Sequence, residues 1–296
     1  MVKNKVSTII TAFKEPNLYK CLNSILNQEL PKNYEISVVA PDKETLDIAK
    51  KYQKKNKRIK ILKDPGKGKP TALNLAFQKI KSDILVLTDG DVILAKNSIK
   101  HLLKHFKNPK VGAVSAKVIY QIPKNSLFYE WAKLSEKRMH EIRLKESKKG
   151  IFWHPTGYLY AIRNGIVKKI PSNSLSDDAV IGYLIKSKGY QIVYEPKAKV
   201  YVKFPTKLLD FIRQKSRTRA GFYQIRKWFK FKTRTLESEM FNWENIKTMI
   251  KIYGVKNFWK MILIGSFYFL AWLRSYWLIW RKKPFKKIWK RIESTK

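Results

Sequence analysis

Cysteine and acidic side chains are what this chain of 296 residues is short of. A single cysteine, Cys21, excludes an intrachain disulfide and argues against a structural zinc site, so the chain suits a reducing compartment. Asp and Glu number 22 against 63 Lys and Arg, a formal net charge of +41. That imbalance points to anionic partners: nucleic acid, acidic lipid headgroups or phosphorylated substrates. Charge does not choose among the three. No internal repeat and no low-complexity linker interrupts the sequence. The apolar run Val6–Ile10 is short and no small-residue cleavage site follows it, so it reads as a first strand and not as a secretory leader. Two phosphate-binding signatures are missing as well, the G-x-x-x-x-G-K-[ST] loop and G-x-G-x-x-G.

Hydrophobic residues make up 44% of the chain, ample for the core of one large α/β domain with an appendage. Up to about residue 205, strand-like runs alternate with helical patterns. Val6–Thr11, Glu35–Ala40, Ile59–Leu62 and Ile84–Thr88 read as strands, with Leu18–Gln28, Lys43–Lys54 and Lys69–Ile80 as the helices between them. Further strands are expected at Val111–Ile119, Gly157–Arg163 and Gln191–Val202, and a helix at Asp177–Lys188 closed by Gly189. This alternation predicts an α/β fold, a mainly parallel sheet flanked by helices. After Phe204 the composition changes: seven of the nine tryptophans lie from Trp228 onward, interleaved with Lys and Arg. The expected organisation is an α/β domain over residues 1–204, a basic and aromatic interfacial helical region over 205–257, and a hydrophobic helix with a basic tail over 258–296.

Phe258–Trp280 is the most apolar window of that tail. As a helix it nearly crosses a hydrocarbon core about 30 Å thick, a task for about 20 residues. Arg274 interrupts it, although a cation near one end can snorkel, and Trp259, Trp272, Trp277 and Trp280 suit headgroup depth. Basic residues flank both ends, so charge gives no orientation. A span, a helix lying in the interface and a helix packed on the α/β domain all remain open, with membrane association favoured.

Thr88-Asp89-Gly90-Asp91 directly follows the apolar run Ile84–Leu87. Two carboxylates therefore stand at the end of a predicted buried strand, where an α/β sheet presents its chemistry. Carboxylates at i and i+2 there can reach one hard divalent cation, with Gly90 letting the backbone turn tightly; an ordinary Asp-Gly turn reads the same way. Upstream, Gly66-Lys67-Gly68-Lys69 opens a helix and offers backbone N–H groups, a favourable dipole end and an ammonium to a phosphate.

Taken in order, Val6–Ala12 with Glu15-Pro16, then Gly68-Lys69-x-x-Ala72-Leu73-Asn74, then Thr88-Asp89-Gly90-Asp91, the chain resembles the inverting glycosyltransferases of family 2, which have a GT-A, Rossmann-like fold. The resemblance covers roughly residues 4–220. Ser176-Asp177-Asp178 is similar to the family's acidic pair, whose second aspartate is the catalytic base; a capping pair at a helix start is the alternative. Gln214-Lys215-Ser216-Arg217 followed by Thr218 is similar to the Q-x-x-R-W segment of membrane-bound synthases, with threonine where tryptophan is expected, which argues against processivity. A solvated basic helix face is the other reading of that segment. Where many members have V-D-D-G-S, this chain reads Val38-Val39-Ala40-Pro41-Asp42, leaving Asp42 as the carboxylate near a uracil or guanine edge.

The resemblance implies transfer of a sugar from a nucleoside-diphosphate sugar, with a UDP-sugar favoured, to a lipid-linked or glycan acceptor with inversion. It implies Thr11, Glu15, Asp42, Lys69, Asp89, Gln214, Arg217 and Arg219 as donor ligands, Asp91 with Asp89 as the holders of Mg²⁺ or Mn²⁺, and Asp178 as the base. His154, within Phe152–Gly157, falls on an acceptor-side loop either as a ligand or as a structural residue. The implied setting is a membrane-associated enzyme on an anionic membrane surface, its catalytic domain on the cytoplasmic side. The competing class is a basic nucleic-acid-binding protein without catalytic activity. Dispersed basic residues, the lack of a nucleic-acid module and the otherwise unexplained carboxylates weigh against it, so no nucleic acid is expected as a partner.

Overall fold

The computed structural model describes residues 5–152, 154–231, 258–281, 288 and 293–295. Trp153, about half of the expected interfacial region (residues 232–257) and most of the basic tail lie outside the described residues.

Strand β1 (Val6–Thr11) is buried along its whole length, β4 (Ile84–Asp89) at every residue but its last, and β2 (Tyr34–Ala40) at every residue but Glu35. Runs of Val, Ile and Leu with no polar face belong in a sheet covered on both sides, which is the environment of parallel strands. β1 pairs in parallel with both β2 and β4, and β2 with β3 (Ile59–Lys63). The crossovers are α1 (Leu18–Leu26), α2 (Lys43–Lys55) and α3 (Lys69–Lys79). Asp42 caps α2 by accepting the Thr45 N–H at 2.9 Å. Gly68, at φ 105°, caps α3 with Pro70 in the first turn, a backbone angle that favours glycine.

Beyond β4 the sheet changes direction. β7 (Leu159–Arg163) runs antiparallel to β4 and to β6 (Val111–Gln121), and β5 (Ile93–Leu94) antiparallel to β8 (Gln191–Lys203). The order across the sheet is β3-β2-β1-β4-β7-β6-β8-β5. The α/β fold expected from the alternation is present; its parallel part is the half where strand and helix alternate strictly, and the whole is a mixed sheet. Helices α4 (Ser98–Leu103) and α5 (Tyr129–Lys148) and the two-residue β5 carry no clear periodic signal. The buried residues of α5 include Trp131, Ala132, Leu134, Ser135 and Arg143, a mixture without an apolar stripe. Helix α6 (Asp177–Ser187) follows β7, and α7 (Leu208–Phe229) and α8 (Phe258–Trp280) follow β8.

The chain forms two compact units, one of residues 5–119 and 140–202, the other of residues 120–139 with the described part of the chain from 203 onward. In the first, Asn74 on α3 is buried and its amide makes a reciprocal pair with one residue of the segment before α6: Nδ2 donates to the Ile170 carbonyl at 2.8 Å and Oδ1 accepts the Ile170 N–H at 2.9 Å. The second unit has an aromatic core. Phe128 stacks on Phe211 with centroids 4.8 Å apart, and Trp131 Nε1 donates to the Tyr268 hydroxyl at 3.2 Å.

In α8, Ile264, Phe267, Tyr268, Ala271, Ser275 and Leu278 are buried at helical spacing, whereas Ile262, Phe269, Leu270, Leu273, Tyr276, Trp277 and Trp280 are exposed. Arg274, the charged residue that breaks the apolar window, is turned inward and its Nη1 donates to Ser216 Oγ on α7 at 2.6 Å. The exposed side of α8 from Ile262 to Trp280 is thereby left without charge. Among the described residues this is one helix long and apolar enough to cross a membrane.

Asn74→Ala leaves a buried N–H and C=O of Ile170 without partners and is expected to destabilise the protein by about 2 kcal/mol, read as a lower midpoint of urea unfolding with an unchanged slope.

Candidate active site

Four strand ends bring polar groups together along the C-terminal edge of the parallel half-sheet, the side on which open α/β sheets bind ligands. Thr11 closes β1, Asp42 follows β2, Asp64 follows β3 and Asp89 closes β4. Thr11 Oγ1 donates to Asp89 Oδ1 at 3.2 Å, and the Gly90 N–H continues the ladder to the Thr11 carbonyl at 2.9 Å. A Cβ on Gly90 would stand 2.7 Å from the Ala12 Cβ. Glycine is required there because two strand ends press together, and the turn delivers Asp91 beside Asp89.

Lys69, the first residue of α3, is the centre of the charge arrangement. Its Nζ lies 2.7 Å from Asp89 Oδ1, 3.3 Å from Asp177 Oδ2 and 3.3 Å from the Gly157 carbonyl. Burial disfavours the ammonium, but the carboxylates of Asp177 and Asp89 prevail and hold its pKa well above the usual value. Asp89 is raised above the usual carboxylate value: burial opposes its ionisation, the Lys69 charge offsets part of this, and the charge of Asp91 adds to it. A strand-end carboxylate whose ionisation is opposed by a second carboxylate two residues on forms a site a divalent cation would relieve. Among the described residues no three His, Cys, Asp or Glu side chains gather into a full cage. The donor set therefore fits a hard cation that keeps oxygens from a diphosphate and water.

Asp177 and Asp178 open α6, with Asp177 buried. Asp178 is pushed up to about 6, by burial first and by the charge of Asp177 next, with Lys69 acting in the opposite direction. The Ala179 N–H donates to Asp178 Oδ1 at 2.9 Å. A Cβ on Gly157 would lie 3.0 Å from Asp178 Oδ2, so this glycine leaves the space into which the carboxylate projects. Arg143 of α5 is buried within electrostatic reach of Asp178 and His154. Burial, with the Arg143 charge behind it, holds His154 down to about 3. A neutral imidazole at physiological pH cannot act as a cation toward a diphosphate.

The geometry gives several of the expected residues other work. Asp42 has both oxygens engaged: Oδ1 accepts from the N–H and hydroxyl of Thr45 at 2.9 and 2.7 Å, and Oδ2 from the Lys14 N–H at 2.9 Å. Burial opposes its ionisation, but these hydrogen bonds outweigh it and hold the carboxyl below the usual value. Glu15 is buried and its Oε1 accepts the Asn17 N–H, shaping the loop after β1. Outside the expected set, Asp83 accepts the Lys5 N–H at 2.8 Å and fixes the start of β1. Gln214, Arg217 and Arg219 lie on α7 in the second unit, where Arg219 sits 5.4 Å over the Trp272 ring. Three neighbours of the site escaped sequence reasoning: Asp64, Arg143 and Tyr160. Asp64 ends a half-exposed strand with no motif around it, α5 carries no stripe to place Arg143, and Tyr160 looks like any aromatic in a buried strand.

Fold and site together define an α/β enzyme whose chemistry sits at the C-terminal edge of its sheet. The family is specific: residues 4–221 match the Glycosyltransferase like family 2, and the chain belongs to that family. It is 22% identical over 277 residues to the poly-beta-1,6-N-acetyl-D-glucosamine synthase of Staphylococcus epidermidis, covering 88% of this chain and 66% of that protein. To the probable glycosyltransferase YdaM of Bacillus subtilis it is 27% identical over 260 residues, covering 80% of this chain and 61% of the relative. The chain thus spans less than two thirds of either relative. Its fold is shared with the mannosyltransferase PcManGT of Pyrobaculum calidifontis, solved with GDP-Man and Mn²⁺, at a TM-score of 0.66 and 18% identity over 97% of this chain and 83% of that one. GalNAc-T7, solved with UDP, GalNAc and Mn²⁺, superposes at a TM-score of 0.53 and 15% identity over 85% of this chain and 48% of the other.

A carboxyl raised to about 6 in the folded protein stabilises it below the usual carboxylate pKa, and that contribution is lost as pH rises from about 4 through 6. Asp178→Asn removes the penalty, so the variant is expected to melt a few degrees above the parent at about pH 7, with the difference vanishing near pH 4 in a series of thermal melts.

Proposed function

We propose that this chain transfers a sugar from a nucleoside-diphosphate sugar, with a UDP-sugar favoured, to a lipid-linked or glycan acceptor, by direct displacement with inversion. The observation that carries the reading is the meeting of Asp89 at the end of β4, Lys69 at the start of α3 and Asp177 with Asp178 at the start of α6, in a chain of this family. The likeness in fold to glycosyltransferases solved with nucleotides and Mn²⁺ supports it.

In this reading Asp91 and Asp89 hold Mg²⁺ or Mn²⁺, which supplies charge neutralisation to the departing diphosphate. Lys69 exchanges its place on Asp89 for the diphosphate and adds to that neutralisation. Thr11 keeps the Asp89 carboxylate oriented through the hydrogen bond from its hydroxyl. Asp178 takes the proton from the acceptor hydroxyl; a carboxyl pushed up to about 6 is well placed to accept a proton near neutral pH and remains mostly ionised there. No covalent intermediate is needed, because base and leaving group stand on opposite sides of the sugar carbon. The uncharged outer side of α8, rich in Trp, Phe and Leu, supports a membrane setting, and the basic character of the chain an anionic leaflet on the cytoplasmic side.

Calorimetric titration of the full chain with UDP and with GDP, with and without Mn²⁺, tests the donor class. Metal-dependent binding of one nucleotide is expected, weakened by Asp91→Asn at least tenfold, about 1.4 kcal/mol. Binding to neither would return the basic nucleic-acid reading to the front. Asp178→Asn is expected to bind the nucleotide near normally and to lose transfer by at least a hundredfold, and retained transfer would remove Asp178 as the base. Fractionation tests the setting: the protein should stay with membranes through high salt and nuclease and leave them with detergent, whereas release by salt would make the attachment electrostatic alone.

A further inference from the structure

Asp64 is a buried carboxylate at the strand ends that the proposed mechanism leaves unused. It directly follows β3, donates its N–H to the Ala40 carbonyl of β2 at 3.2 Å, and is 6% exposed. Oδ1 accepts the Gly66 N–H at 2.7 Å. Oδ2 accepts no hydrogen bond among the described residues and stays open to solvent. Burial holds the carboxyl above its usual value; the Gly66 N–H opposes this and the Asp42 charge adds to it. A second N–H, brought by a ligand, would satisfy the open oxygen. Asp42, after the neighbouring strand, differs in that both its oxygens already accept, from Thr45 and from Lys14.

The surroundings of Asp64 suit a flat ligand. A Cβ on Gly66 would stand 3.4 Å from the Pro41 Cβ, so the loops after β2 and β3 meet there. In the loop after β1 the Phe13 ring is 50% exposed. Lys14 behind it has φ 48°, in the left-handed region, and its N–H is tied to Asp42 Oδ2 at 2.9 Å. An aromatic ring held out at a rim in this way offers a face on which a base can stack. β3 lies three strand spacings, about 14 Å, from β4, a span that an extended nucleoside diphosphate can bridge when its phosphates lie at Asp89 and Lys69.

We propose that Asp64 reads the nucleobase of the donor, its Oδ2 accepting the ring N–H of uracil or guanine, while Asp42 holds the loop that carries Phe13. That role rests on the donor class proposed above. An ionised carboxylate only accepts hydrogen bonds. It therefore pairs with uracil N3–H or guanine N1–H and repels the lone pairs that cytosine N3 and adenine N1 present at the same edge.

Calorimetric titration of the full chain in saturating Mn²⁺ compares UDP with 3-methyl-UDP and GDP with 1-methyl-GDP, pairs in which the ring N–H is replaced by N-methyl. The parent is expected to bind UDP or GDP at least tenfold more tightly than its methylated form. Asp64→Ala is expected to reduce that ratio to about twofold by weakening the unmodified nucleotide. Should Asp64→Ala fail to fold, Asp64→Asn keeps the bond to Gly66 through its amide carbonyl and turns an NH₂ toward the base. CDP, with a lone pair on N3, is then expected to gain at least tenfold relative to UDP and GDP. Asp42→Asn is expected to melt at a lower temperature, through a weakened cap on α2, and to keep the ratio of the parent. No discrimination by the parent, an unchanged ratio in Asp64→Ala, no gain of CDP in Asp64→Asn, or a ratio lost in Asp42→Asn overturns the role of Asp64 and leaves the donor class intact. Absence of Mn²⁺-dependent binding of either nucleotide by the parent overturns the donor class and this role with it.

Discussion

The ion pairs of Lys69 are the constraint on which the active site depends. Asp89 ends β4, Asp177 begins α6, and the carbonyl of Gly157 precedes β7; one ammonium touches all three. Placing these carboxylates together without a cation would cost several kcal/mol per buried charge. With Lys69 and Arg143 set against Asp89, Asp91, Asp177 and Asp178 the cluster retains an excess of negative charge, despite a net charge of +41 over the whole chain. A strongly basic protein thus keeps a small acidic centre at the edge of its sheet, and the surrounding field favours the approach of anions that a cation can bridge to it.

The core of the second unit is organised by aromatic contacts, with ion pairs such as Arg213–Asp210 at 3.4 Å and Lys133–Glu136 at 3.6 Å outside it. Lys215 illustrates the difference: its Nζ lies 5.5 to 5.9 Å from the ring centroids of Tyr268, Phe211 and Phe204, a cation held among π faces. The same helix supplies Ser216 to Arg274. α7 therefore uses side chains of one short segment to accommodate its own charge and that of α8. The mean hydropathy of α8 understates how apolar its outer side is, because hydropathy counts Arg274 wherever its side chain points.

What the sequence disclosed followed from how local the cause was. β1, β2, β4, α2 and α3 come out within a residue or two, since burial on both faces and capping by Asp42 or Gly68 are written into adjacent residues. Asp89, Lys69 and Asp178 were legible as parts of ordered segments, and the structure brings them together. Asn74 was visible as the last letter of one such segment, but its buried amide pairing depends on Ile170, 96 positions away. The turn from parallel to antiparallel beyond β4 was hidden for the same reason: β7 joins β4 across a long stretch that includes α5, whose buried face mixes Trp131 with Ser135 and Arg143. Asp42 shows the converse. Its carboxylate fits a base-binding role by position, yet its oxygens meet the Thr45 and Lys14 groups close by.

The amide of Asn74 has a mechanical meaning. It lies a little over one turn along α3 from Lys69, and Ile170 lies shortly ahead of Asp177 in the chain. The spacing between the helix that carries the ammonium and the helix that carries the acidic pair is therefore gauged by neutral hydrogen bonds in the dry interior, much as a caliper is set by its screw and not by the object between its jaws. Electrostatic contacts at the rim can open and re-form during a reaction cycle while the frame around them keeps its dimensions.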